Sequence, residues 1–124
     1  MSQPDGGQSE FEGISPVFPV SDVLAALAFY REHLGFDLGW TWNDPPTHAN
    51  VCRGHINISL TLNPEKAGSG SAYVELRGVN DYFAELRDRN VACGDLADRP
   101  YGMRDFAITD PSGNRIVFGE SIAD

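Results

Sequence analysis

One order of elements runs through this chain twice, and that repeat constrains the fold more than any other feature. Two strand-to-helix junctions, Val20-Ser21-Asp22-Val23 and Leu76-Arg77-Gly78-Val79, stand at the same point of the two stretches. In the first stretch residues 14–20 read as a short strand. Ser21 and Asp22 then offer an N-cap and a favourable first-turn charge. Val23, Leu27, Tyr30 and Leu34 follow at helical spacing, and Gly35 stops the helix. Three strands come next. Residues 36–43 carry Trp40 and Trp42 two apart and so on one face. Residues 48–53 follow the Asp44-Pro45-Pro46 turn. In residues 56–62, Ile56, Ile58, Leu60 and Leu62 alternate with Asn57, Ser59 and Thr61.

The second stretch repeats this order. Residues 72–77 read as a strand, and Val79, Tyr82, Phe83 and Leu86 mark a helix ending near Asn90. A weakly marked strand at 92–97 and a stronger one at 103–109 lead to Asp110-Pro111-Ser112-Gly113. That segment has the residue preferences of a type I turn, and residues 114–119 close the pattern.

A half of roughly 55 residues cannot bury both faces of its own sheet. Two halves together predict an α+β fold: two βαβββ modules forming a curved mixed sheet with a concave groove, the helices on the convex side. The expected layout is a flexible tail over 1–12 and a single domain over 13–124. Within that domain, module 1 covers about 14–62, the linker 63–71 and module 2 about 72–120. Pro16 and Pro19 confine the first strand to an edge, an end or a crossover, because proline cannot donate to a ladder.

Charge and cysteine usage narrow the function. Eighteen acids against nine bases give a net charge of −9, which repels phosphate backbones and anionic lipid and would concentrate a cationic ligand. Nucleic-acid and membrane-surface roles are therefore disfavoured. The longest apolar run, Val23 to Tyr30, is far short of the ~20 residues of a membrane span. Residues 1–10 are polar and acidic, unlike a signal peptide. Cys52 and Cys93 stand in no metal or Cys-x-x-Cys spacing and read as reduced thiols of a cytoplasmic protein. There is no Ser-His-Asp spacing, phosphate loop or nucleophilic Cys motif.

Phe29-Tyr30-Arg31-Glu32-His33-Leu34-Gly35-Phe36 and Phe106-Ala107-Ile108-Thr109-Asp110-Pro111-Ser112-Gly113-Asn114-Arg115, together with the repeat, resemble the vicinal-oxygen-chelate superfamily, the glyoxalase and bleomycin-resistance fold, over residues 14–120. The enzymes of that superfamily hold a divalent metal in the groove. The matching ligand positions here are Ser15, Ser71 and Val117, and none is a plausible donor. No metal and no cofactor are expected. His33 falls at a helix end, and His48 and His55 flank one strand pair. A relocated metal site would have to use His48, His55 and a carboxylate such as Glu120.

Within the superfamily the chain is more similar to the bleomycin-resistance proteins, which are metal-free drug binders. The similarity lies in Arg99-Pro100-Tyr101-Gly102-Met103-Arg104-Asp105-Phe106-Ala107, in Tyr73-Val74-Glu75-Leu76-Arg77-Gly78, and in Pro16, where such proteins let the N-terminal arm cross to a partner. The resemblance implies an aromatic site at Trp40, Tyr73 and Tyr101, suited to a planar ligand with a cationic tail. Asn57, Ser59 and Thr61 alternate with the helix-facing residues and point into the groove, where polar groups can orient a ligand. The plainer alternative is that the aromatics are sheet packing and the polar residues face water. Trp42 reads as a groove rim or dimer contact, Asp44 and Asp105 as anchors for a cationic tail, and Met103 and Phe106 as core or groove floor.

The expectation is a non-enzymatic, cytoplasmic homodimer with N-terminal strand exchange near Pro16. It would sequester a bleomycin-like antibiotic in interface crevices, with Trp40 and Tyr101 on opposite walls from different subunits. The alternatives are a metal-dependent enzyme of the same fold (dioxygenase, thiol transferase or isomerase) and a binder of another planar small molecule.

Overall fold

A computed structural model describes residues 8–123. The first seven residues of the expected tail lie outside the described residues; residues 8–14 are exposed and carry no helix or strand.

Asp22 caps helix α1 (Val23–Ala28), its Oδ1 accepting the Ala25 N–H at 3.0 Å. The helix then widens into a π-helical turn, Phe29–His33, where Leu34 N donates to Phe29 O at 3.2 Å. Val23, Leu27, Tyr30 and Leu34 remain buried through the change of winding, so the apolar stripe could not reveal it. Strands β1 (Val17–Val20), β2 (Asp37–Trp42), β3 (His48–Arg53) and β4 (Ile56–Leu62) form one sheet in the order β1-β4-β3-β2. β1 runs parallel to β4, and the other pairs are antiparallel.

The second module repeats this with β5 (Ser71–Glu75), α2 (Val79–Asp88), β6 (Ala97–Asp98), β7 (Met103–Thr109) and β8 (Arg115–Ser121), ordered β5-β8-β7-β6. The expected strand over 92–97 shrinks to the two-residue β6. Gly94 N reaches Ala107 O at 2.8 Å, but Gly94 and Asp95 are poor strand formers, and the chain joins β7 only at 97–98. The first strand also starts later than expected, at Val17, with Pro16 contributing only its carbonyl to Ser59 N.

Alternation sorts the side chains. Phe18, Val20, Ala49, Val51, Ile58 and Leu60 of the first sheet are buried on the helix side, as are Val74, Phe106, Ile108, Ile116 and Phe118 of the second. All join one core with residues of both helices, including Tyr30, Tyr82 and Leu86. Each fully buried large side chain of this kind contributes roughly 1.5–3 kcal/mol of burial. The rings meet edge to face, Tyr82 on Phe118 at 5.0 Å and Phe83 on Phe106 at 5.1 Å.

The modules therefore pack helix side to helix side. Tyr82 Oη donates to Leu34 O at 2.7 Å, Arg53 pairs with Glu85 at 3.0 Å, and Asn114 Nδ2 donates to Pro19 O at 2.8 Å. The α+β class and both βαβββ modules are as expected. Within one chain, however, the curved sheet is two four-stranded sheets, each with its second face turned outward. Among the described residues no helix is long and apolar enough to cross a membrane.

Candidate functional site

The outward face of the first sheet is set by strand register. Asn50 stands opposite Ser59, Cys52 opposite Asn57 and His48 opposite Thr61, while Trp40 and Trp42 of β2 pair with Asn50 and His48. Because the side-chain period is two, Trp40, Asn57, Ser59 and Thr61 share this face, on the side away from Ile58 and Leu60. Trp40 and Trp42 are 50% and 62% exposed. Trp42 lies against the His48 ring at 5.4 Å, and His48 Nδ1 is 2.9 Å from Thr47 Oγ1.

The polar groups of this face are linked to one another. Asn50, largely buried, donates through Nδ2 to Asn57 Oδ1 at 3.1 Å and to Ser59 Oγ at 3.4 Å; Ser59 Oγ is also 3.0 Å from Ser15 Oγ. Asn50 is not among the residues the sequence singles out, because β3 is otherwise apolar at its centre. The signal that could have found it is its place between the buried Ala49 and Val51, which turns it outward.

The outward face of the second sheet carries Tyr73, Val117, Gly119, Ala107 and Asp105, with Tyr73 opposite Val117 and Asp105 opposite Gly119. Tyr73 lies diagonally across β8. A Cβ at position 119 would overlap its hydroxyl and ring, so only glycine lets the ring lie there. Tyr73 Oη then reaches Asp105 Oδ2 at 2.8 Å, and Tyr101 Oη donates to the same oxygen at 2.5 Å. Arg99 Nε donates to Asp105 Oδ1 at 2.8 Å. The ring faces stay accessible, with Tyr73 44% and Tyr101 64% exposed, over a carboxylate residue that is only 3% exposed.

Burial alone would raise the Asp105 pKa, but the bonds from Tyr101, Arg99 and Tyr73 outweigh it and hold the carboxyl below its ordinary range. Tyr101 is pushed above the usual phenol value first by its bond to Asp105. Tyr73 is pushed up by burial and then by the same carboxylate.

This corrects one expectation. Asp105 is not an open anchor for a cationic tail, because it is nearly fully buried and both its oxygens already accept hydrogen bonds. Arg99 closes this network. Phe106 is core, fully buried beside Phe118, and Met103 is half-buried at the start of β7. Asp44 is exposed in the β2–β3 turn.

The superfamily's metal does not fit the residues present. Ser15 Oγ pairs with Ser59, Ser71 is exposed at the start of β5 opposite Arg115, and Val117 has no donor atom. A relocated site does not assemble either. His48 pairs with Thr61 at one end of the β3–β4 hairpin, while His55 sits in the turn at the other end, beyond the Arg53–Ile56 pair. Glu120 is occupied as the N-terminal cap of α2: its Oε1 accepts Gly78 N at 3.1 Å and Val79 N at 3.0 Å. His33 lies against Phe29, its ring 5.6 Å away. Among the described residues no three His, Cys, Asp or Glu side chains are placed to hold a metal ion.

Known proteins share this architecture. Curated relatives named bleomycin resistance protein, from Geobacillus stearothermophilus and Staphylococcus aureus, are each 24% identical to this chain over 132 residues, covering 86% of it and 95% of the relative. The solved bleomycin-binding protein of bleomycin-producing Streptomyces verticillus, complexed with copper(II)-bleomycin, matches with a TM-score of 0.79 at 26% identity, covering 94% of this chain and all of that one. An antibiotic binding protein from a Streptomyces species matches with a TM-score of 0.74 at 26% identity, covering 91% of this chain and 99% of that one. A family model matches residues 14–118, and with that match the chain belongs to the Glyoxalase/Bleomycin resistance protein/Dioxygenase superfamily.

Proposed function

We propose that this protein binds and sequesters a bleomycin-like cationic glycopeptide, without chemistry on it, in crevices formed between two copies of the chain. One observation carries the reading. Among the described residues, and apart from Phe11 in the N-terminal arm, the exposed large aromatic rings are Trp40, Trp42, Tyr73 and Tyr101, all on or beside the outward sheet faces. Planar heteroaromatic ligands are held by such faces, and a positive tail gains from the rings and from the net charge of −9. Trp40, Tyr73 and Tyr101 are the proposed stacking surfaces; Asn57, Ser59 and Thr61 are the proposed polar contacts.

Packing supports the two-copy arrangement. Each chain turns its two sheet faces outward, so one face alone makes an open wall, and a second copy supplies the opposing wall. In that arrangement Trp40 and Tyr101 meet from different subunits, and the N-terminal arm, with exposed Phe11, Ile14 and Val17, crosses near Pro16. The proposed setting is the cytoplasm, where Cys52 and Cys93 stay reduced thiols. Protection is by mass action: bound drug is unavailable wherever protein exceeds drug.

The test is a titration with metal-free bleomycin followed by tryptophan fluorescence and calorimetry, with the mass of the protein in solution measured alongside. Saturation at one drug per chain, weakening with salt, on a dimer supports the reading. No binding at high concentration rejects the named drug, and a monomer rejects the interface crevice.

A further inference from the structure

We propose that Asp105 is the positioning residue of the aromatic wall, its single oxygen Oδ2 holding Tyr73 and Tyr101 together as one recognition surface for a planar ligand bearing cationic N–H groups. This rests on the preceding reading that the second sheet's outward face binds such a ligand.

Three elements have to converge for the arrangement to exist. Tyr73 comes from β5, Asp105 from β7 and Tyr101 from the turn before β7; β8 runs between the first two, passable only because Gly119 has no side chain. Asp105 in turn is fixed from behind. Arg99 donates to its Oδ1 and to its backbone carbonyl at 3.3 Å, and is itself held by Asp95 O at 2.9 Å. An exposed tyrosine ordinarily loses rotamer freedom on binding, which weakens affinity; here both rings are held before a ligand arrives.

The same bonds decide what the wall can recognise. A phenol has one hydrogen to donate, and both phenol hydrogens point at Asp105 Oδ2. Toward the ligand the wall has only ring faces and hydroxyl lone pairs, which suit a cation carrying N–H donors. Asp105 also neutralises Arg99 through a 2.8 Å ion pair, so a positive group beside the wall does not repel such a ligand.

The experiment is a double-mutant cycle on binding of metal-free bleomycin, run with Asp105→Asn, Tyr73→Phe, Tyr101→Phe and their combinations. The Phe variants keep both rings and remove only the hydroxyls. The expected result is at least a tenfold loss for Asp105→Asn in the native background, and a much smaller loss from the same change once both tyrosines are Phe. Absorbance-monitored tyrosine titration supplies a readout without ligand: Asp105→Asn should lower the pH at which two of the tyrosines ionise. Equal losses in both backgrounds, or an unshifted titration, overturn the proposal. Should Asp105→Asn fail to fold, the two single Phe variants and their double carry the test, and strictly additive losses overturn it. If the unaltered protein does not bind bleomycin, the preceding reading falls. The cycle is then run with thioflavin T, a planar cationic dye, and a protein that binds neither probe overturns both.

Discussion

Tyr30, in the π-helical turn of the first module, donates its hydroxyl to Asp110 Oδ2 in the last turn of the second, at 2.9 Å and in a buried setting. Asp110 also accepts Ser112 N and Asn114 N on Oδ1, at 2.9 Å each, and Asn114 Nδ2 on Oδ2 at 3.0 Å. One carboxylate thus shapes the β7–β8 turn and fastens it to the other module. Burial, then the charge of Asp110, pushes the Tyr30 phenol far above its ordinary value, so it stays a donor across the working pH range. Tyr30→Phe should cost about 1–2 kcal/mol of stability and leave ligand affinity unchanged. Urea melts check the first and titration of the folded variant the second.

Gly113 closes that turn, Gly113 N donating to Asp110 O at 2.9 Å with φ at +100°. That φ is open to glycine and strained for a β-branched residue. Gly113→Val should lower stability by about 1–3 kcal/mol without altering affinity per folded molecule, as thermal melting and titration would show. A wild-type melting temperature would mean the turn tolerates the strain.

Tyr101 is the most exposed ring of the proposed site and contributes little to the core. Tyr101→Ala should weaken bleomycin binding more than tenfold while leaving the fold intact, as circular dichroism would show. Unchanged affinity in calorimetry would remove Tyr101 from the site.

Gly119→Ala tests the close approach of Tyr73 to β8. The added methyl displaces the ring and breaks its bond to Asp105. Affinity should fall by about the same factor as in Tyr73→Ala, while near-ultraviolet circular dichroism reports the displaced tyrosine.

Asp105 gives a pH dependence with a definite sign. Its folded pKa is depressed, so its contribution to stability is full above the unfolded aspartate value of about 3.9 and is lost as pH falls through the lower folded value. The stability difference between the native protein and Asp105→Asn should therefore be constant near neutrality and shrink below roughly pH 4. Denaturant melts at a series of pH values would show it, and a constant difference down to pH 2 would contradict it.

Much of the architecture is legible in the order of residues alone. The repeated junctions, the Val23-Leu27-Tyr30-Leu34 stripe, the β4 alternation and the Asp110 turn depend on contacts a few residues apart, or on a face-by-face period that the chain itself records. The same alternation puts Asn57, Ser59 and Thr61 on one face and Trp40 and Trp42 together. Superfamily membership is legible for the same reason, since it is carried by two short segments and the repeat.

Long-range contacts leave no such trace. Eighteen acids look alike in sequence. Arg99 and Tyr101 lie within six residues of Asp105, but only the β7–β8–β5 register brings Tyr73 to the same carboxylate from 32 positions away. The three bonds together show it to be no open anchor. Strand pairing also sends His48 and His55 to opposite ends of a hairpin and gives Glu120 to the α2 cap. Which residues face in and which face out is written along the chain, because side-chain period makes that choice locally. Which outward residues meet is settled only by the packed fold, because the meetings that matter cross strands, as Tyr73 and Asp105 do from 32 positions apart.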